Sequence, residues 1–161
     1  MKKTRFWVYL LAAGVGTGLH FLYGLLPSPV TAVFASVNES VWEHLKLLYW
    51  PMLLAGVILA RKAEDKRKLW SGVLGAILAM PVWLLGAYYL LSAGFGVEGL
   101  WLDLILYFST LAAGFAFIRR IESRTLPRWA FPALVVCVFV YGLVLTYFTT
   151  FPPDLPIFQV N

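Results

Sequence analysis

Five long apolar runs constrain this chain more than any other feature. They cover about 6–26, 41–60, 69–91, 100–118 and 129–149. Each approaches the roughly 20 residues that a helix needs to cross the hydrocarbon core of a bilayer. Backbone polar groups in hydrocarbon must be satisfied internally, and a helix does this within one segment. The expected fold class is therefore all-α, a polytopic membrane protein whose residues 1–161 form one integral membrane domain. Composition agrees: 61% of residues are hydrophobic and 13% charged, where a soluble domain carries about 25% charged residues.

The first run opens as a secretory signal does, with Lys2, Lys3 and Arg5 ahead of Phe6. It continues past Ala12-Ala13 without a clear cleavage site and reads as a retained span. Gly14, Gly16 and Gly18 supply small residues for close helix approach. His20 shares the face of Gly16, Thr17 and Gly24. Pro27-Ser28-Pro29 ends this helix, and Ser28 as cap with Pro29 at the first helical position predicts a short helix over 29–37. That piece is uncharged and too short to cross, so it is expected to be a re-entrant or interfacial half-helix. Pro51 interrupts the second run and removes the amide that the Leu47 carbonyl would use. Residues 92–99 form a Gly-rich turn, and the Pro-rich tail from Phe151 is expected along the interface.

The basic residues set the orientation. Twelve of the thirteen Lys/Arg fall in the N-terminus, the 61–68 loop and the 119–128 loop. The connections 27–40 and 92–99 and the tail carry none. Five spans with a cytoplasmic N-terminus and an external C-terminus satisfy the positive-inside rule, and a bacterial plasma membrane is the expected location. The net charge of +5 needs no nucleic acid, because anionic headgroups suffice as counterparts. Cys137 is the only cysteine, so an intrachain disulfide and a CxxC site are excluded.

The thirteenth cation is Lys46. It lies in Val37-Asn38-Glu39-Ser40-Val41-Trp42-Glu43-His44-Leu45-Lys46, where the chain enters its second span. Ionisable groups entering a bilayer are costly and mark a functional site by default. On a continuous helix Glu39, Glu43, Lys46 and Trp50 share one face, and His44 lies about 100° from Glu43 on the face of Ser40. Ser40 and Glu43 also match a capping box, and Glu43 and Lys46 can neutralise each other as an i,i+3 pair. Those roles leave Glu39 and His44 unexplained. In the fourth run Asp103, Tyr107, Thr110 and Gly114 recur at spacings of 4, 3 and 4, so Asp103 should face other helices.

The topology places His20, the 39–44 group and Asp103 within roughly 10 Å of one boundary, at about 1.5 Å per residue. One outward-facing pocket is expected. Glu39, Glu43, His44 and Asp103 would do its acid–base chemistry. His20, Asn38, Lys46, Trp50, Tyr88 and Tyr107 would bind ligand, with Lys46 at the floor and Tyr89 on the wall. Imidazole and carboxylate together also suit a divalent metal such as zinc, with Glu39, Glu43, His44 and His20 as ligands. No known zinc signature is present, and for His20 alone a packed, hydrogen-bonded histidine is favoured over a ligand. The pocket implies binding of a small or lipid-like ligand, with conversion by acid–base or metal-assisted chemistry. The alternatives are ion-coupled transport, which at this size needs a homo-oligomer, and a non-catalytic accessory subunit whose charged cluster is structural.

The segment 37–46, followed by Leu47-Leu48-Tyr49-Trp50-Pro51, resembles the signature of a family of small bacterial multi-pass membrane proteins of unknown function. The resemblance implies a membrane bundle and no particular activity. In layout the chain is also similar to the emopamil-binding-protein and sigma-2-receptor group, small bundles with acidic and histidine residues in a membrane cavity for sterol-like ligands. That similarity is one of architecture, without a shared motif.

Overall fold

The apolar runs fold as helices in the computed structural model, which describes residues 2–159. In chain order they are α1 (Lys2–Leu25), α2 (Pro29–Phe34), α3 (Val41–His44), α4 (Lys46–Ala60), α5 (Lys66–Tyr89), α6 (Leu100–Glu122) and α7 (Ala130–Thr150). No strand occurs among the described residues. Helices α3 and α4 run on as one segment, Val41–Ala60, and with it five segments are long and apolar enough to cross a membrane. The architecture is that of a multi-pass membrane protein.

Helix α4 is the centre of the bundle. Of the most apolar stretch of the Val41–Ala60 segment 61% is buried, against 33% or less in the other four spans. It packs on α1 and α5, and α5 packs in turn on α6 and α7. Leu48, Met52, Val73, Ile77, Met80, Leu111 and Ile118 fill the space between them. Helix α7 is the most apolar and the least buried. Its Val136, Phe139, Val140 and Leu143 stay exposed, the side-chain surface that hydrocarbon would cover.

Several boundaries differ from the sequence reading, each for a local reason. Ser28 caps α2 through a reciprocal box with Thr31, and Pro29 takes the first turn. The helix nevertheless stops at Phe34 rather than 37, because Ala35 is extended. The third span continues past 91 because its last turn widens into a π-helix over Leu90–Gly94. The following turn closes at Gly99, whose φ of +126° suits only a residue without Cβ. Helix α6 runs on to Glu122 instead of ending at 118, so Arg119 and Arg120 sit in its last turn, where cations complement the helix dipole. Arg5 bonds Glu122 at 2.6 Å and ties α1 to α6 at this basic end. The tail folds back over α3: a 3-10 turn at Pro156–Phe158 brings the Phe158 ring to 4.8 Å from Trp42.

The glycines of α1 are used differently from the Gly14/Gly18 spacing expected. Both of those face open space. Gly16 makes the close approach, with the Leu47 carbonyl and the Tyr107 hydroxyl where its Cβ would be.

Candidate functional site

The 37–46 segment divides its polar residues between two sides. Asn38 starts the division. Its Oδ1 accepts from the Ser40 amide at 2.9 Å, an Asx-type turn that holds the chain out of helix until Val41. Glu39 is therefore ahead of the helix and never joins the face of Glu43. Ser40 Oγ caps α3 by accepting from the Glu43 amide at 3.4 Å. The reciprocal half of the box does not form, because Asn38 already holds the Ser40 amide. The Glu43 carboxylate reaches further back, to the Val37 amide at 2.8 Å.

Glu43, Lys46 and Trp50 do share a face, and it turns toward α2 and α7. Lys46 Nζ lies 2.6 Å from Glu43 Oε2, and both residues are buried. The ammonium also donates to the Ala32 carbonyl at 2.8 Å and to Thr149 Oγ1 at 3.0 Å, which uses all three of its donors. The Thr149 hydroxyl is 2.9 Å from Glu43 Oε1. Trp50 Nε1 donates to the Val33 carbonyl at 2.9 Å. These contacts clamp the half-helix and the end of α7 onto the central helix. Asn38, Glu43, Lys46 and Trp50 thus do not line the cavity expected for them, and Lys46 is not its floor.

Glu39 and His44 take the other side. A cavity of about 430 Å³ opens there between α1, the 39–44 segment, α5 and α6. His20, Glu39, His44, Asp103, Tyr88 and Tyr107 all line it. His20 projects from α1 one turn above the Gly16 contact. Asp103 and Tyr107 are successive turns of α6, and the Tyr107 hydroxyl donates to the Ala13 carbonyl at 3.0 Å. Leu84, Leu100, Leu104 and Leu106 make the apolar wall. Tyr89 is outside the lining; its ring packs 5.4 Å from that of Tyr88.

The two imidazoles are oriented by their outer nitrogens. His44 Nδ1 is 2.8 Å from the Ser40 carbonyl, which can only accept, so Nδ1 carries a proton and Nε2 is the nitrogen left to face the cavity. Ser36 Oγ donates to the His20 carbonyl and lies 3.3 Å from His20 Nδ1, whose N–H it can then accept. Both Nε2 atoms face Glu39, at 3.7 Å for His20 and 3.6 Å for His44. The rings themselves are 5.3 Å apart. Ser36 and Thr149 are the partners that sequence reasoning missed. Each acts across a long chain separation, and nothing in its neighbourhood of the sequence signals the contact.

A larger depression of about 550 Å³ lies at the basic end, against Arg5, Arg119 and Glu122. Its acid is already held by Arg5, and it has no imidazole. The histidine cavity is the chemically equipped one.

The sequence profile of DUF6512, described as a family of unknown function, matches residues 2–161. The chain belongs to that family. The match extends the resemblance of the 37–51 segment over nearly the whole DUF6512 chain. No curated protein and no solved structure matches it.

Proposed function

We propose that the protein sits in a bacterial plasma membrane with its N-terminus in the cytoplasm, and that its cavity faces outward and binds a small or lipid-like ligand by a polar head. The observation that carries this reading is the composition of one cavity. His20, Glu39, His44 and Asp103 gather at its polar side, and leucines of α4, α5 and α6 with Phe21, Val41, Tyr88 and Tyr107 supply most of the remaining wall. A volume of about 430 Å³ with a few convergent polar groups on an apolar wall suits a small amphiphile. Glu39 and Asp103 are the groups available for proton transfer to a bound head. Transport is less well supported. Ala12, Ala13, Met52, Met80 and Leu111 are buried apolar side chains that favour a closed cavity over a path across the bundle, although Thr110 beside them is buried and polar.

Native mass spectrometry of the protein released from nanodiscs tests the ligand reading. A co-purifying small molecule is expected on the wild type and is lost in Leu104→Trp, which fills the cavity from its partly open wall. A wild type without adduct, or an adduct indifferent to Leu104→Trp, would remove the reading. The orientation is tested separately by single cysteines replacing Ala63, Phe95, Ser123 and Asp154 in a Cys137→Ala background. A membrane-impermeant maleimide should label positions 95 and 154 in intact cells. External labelling at 63 or 123 would reverse the topology.

A further inference from the structure

Resting on the reading of the cavity as a binding site, we propose that His20, Glu39 and His44 form a binding site for one divalent transition-metal ion of the zinc class. The three donors come from α1, the 35–40 link and α3, and their ligand atoms all lie within 4.8 Å of one another. The two imidazole–carboxylate separations are 3.7 and 3.6 Å. Neighbouring ligands of a tetrahedral zinc with bonds of 2.0–2.1 Å are roughly 3.3 Å apart. The two contacts run to different carboxylate oxygens, Oε1 for His20 and Oε2 for His44. With one donor atom per residue the set, spread over at most 4.8 Å, must therefore draw in by about an ångström at its widest edge to hold the ion. The Glu39 side chain is 65% exposed and free to make the adjustment.

The local electrostatics also call for a cation. The separations of 3.6 and 3.7 Å are too long for direct hydrogen bonds. Among the described residues no group hydrogen-bonds the Glu39 carboxylate, whereas every donor of Lys46 is spent on the other side of the helix. A carboxylate set between two imidazole Nε2 atoms is an arrangement that one positive charge, a metal ion or a proton, holds together. The supporting groups are those of a metal site as well. A ligating histidine characteristically gives its second N–H to a carbonyl or other acceptor, which fixes the ring and its tautomer. The Ser40 carbonyl does this for His44, and the Ser36 hydroxyl is placed to do it for His20.

Glu43 is not a ligand, since Lys46 and the Val37 amide occupy its Oε2 and the Thr149 hydroxyl lies on its Oε1. Three protein donors of this kind leave a coordination position open. That position faces the cavity, where Asp103 and Tyr107 lie. An oxygen donor on the ligand's head group would complete the shell there, with Asp103 beside it to take or give a proton. Glu39 and His44 are five residues apart and straddle a helix start, so the set has none of the spacings by which zinc sites are read from sequence.

The full chain, carrying an affinity tag free of histidine, is purified in detergent, stripped with a chelator and titrated. Zn²⁺ is followed by competition with a chromophoric chelator, and Co²⁺ by its visible absorption. One saturable equivalent is expected. Losing a residue that hydrogen-bonds a ligating side chain costs about 10–100-fold in metal affinity, so Glu39→Gln and His44→Ala should each cost about 100-fold or more, and Ser36→Ala about 10-fold. Glu39 is exposed, so Glu39→Gln should leave the circular dichroism and melting unchanged and isolate the metal effect from folding. Asp103→Asn should retain one equivalent. Absence of saturable binding in the wild type, or binding unaltered by Glu39→Gln, overturns the site. An adduct on a wild type that shows no saturable metal binding would remove this inference and keep the ligand reading. A metal without any adduct would do the reverse.

Discussion

Glu43→Gln is expected to destabilise the folded protein by about 3–5 kcal/mol, the usual cost of removing one partner of a buried ion pair. The Lys46 side chain has no exposed surface, and that of Glu43 is 3% exposed. A neutral amide can still accept from the Val37 amide, but it leaves the ammonium without its counter-charge. Lys46→Met should cost a similar amount, because it strands the carboxylate and also leaves the Ala32 carbonyl without its donor. The double replacement Glu43→Leu/Lys46→Met should recover much of the loss, since an apolar pair of similar volume substitutes well for a buried ion pair. A residue of about 1–3 kcal/mol should remain, because the Val37 amide and Ala32 carbonyl stay unsatisfied. Unfolding in detergent of the wild type, both single variants and the double closes the cycle. Hydrogen exchange should place the loosening at 29–37, the half-helix that the clamp holds. A Glu43→Gln variant within about 0.5 kcal/mol of the wild type would show that the clamp is not structural, since that is the range of surface substitutions.

That expectation reverses the emphasis drawn from sequence, where Glu43 belonged with the chemistry of the pocket. The physical reason lies in one turn. Helical projection pairs Glu39 with Glu43 only if the helix already includes residue 39, and Asn38 prevents this by taking the Ser40 amide. With the helix starting at Val41, Glu39 swings to the side of His44 and His20, and Glu43 is left with Lys46. The spans themselves were legible because an apolar run is a one-dimensional signal that needs no tertiary information. The start of α2 was legible too, since Ser28 and Pro29 act on their own backbone. Its end was not, because it depends on how the following link docks. That His20, Glu39, His44 and Asp103 would line one cavity was within reach of helix order and rise, which put all four at the same end of the bundle. Ser36, the partner of His20, and Thr149, the partner of Lys46 and Glu43, were not, for these contacts bridge 16 and 103–106 residues of chain. The choice of Gly16 over Gly14 and Gly18 also required knowing which face of α1 meets α4.

Gly16→Ala should cost about 1–3 kcal/mol, the usual range for overpacking a filled core. The added methyl would sit 2.7 Å from the Leu47 carbonyl oxygen and on the Tyr107 hydroxyl. The carbonyl belongs to the central helix and cannot rotate away. It is also the one that Pro51 deprives of an amide donor, so α1 lies against a backbone group exposed by the proline. Relief requires α1 to move off α4, which widens the cavity just where His20 is held and should weaken any ligand or metal there as well. Gly14→Ala and Gly18→Ala provide the controls, because nothing lies within 4 Å of either position. Each should be neutral or stabilising by up to about 1 kcal/mol, through the smaller entropy loss of alanine in a helix. Gly16→Ala combined with Tyr107→Phe should recover only part of the loss. Phe removes the clashing hydroxyl together with its hydrogen bond to Ala13, while the Leu47 carbonyl stays in place. Melting temperatures of the three alanine variants and this double in one detergent decide the matter. If Gly16→Ala melts with Gly14→Ala, the close approach of α1 to α4 at Gly16 is wrong, and with it the position assigned to His20.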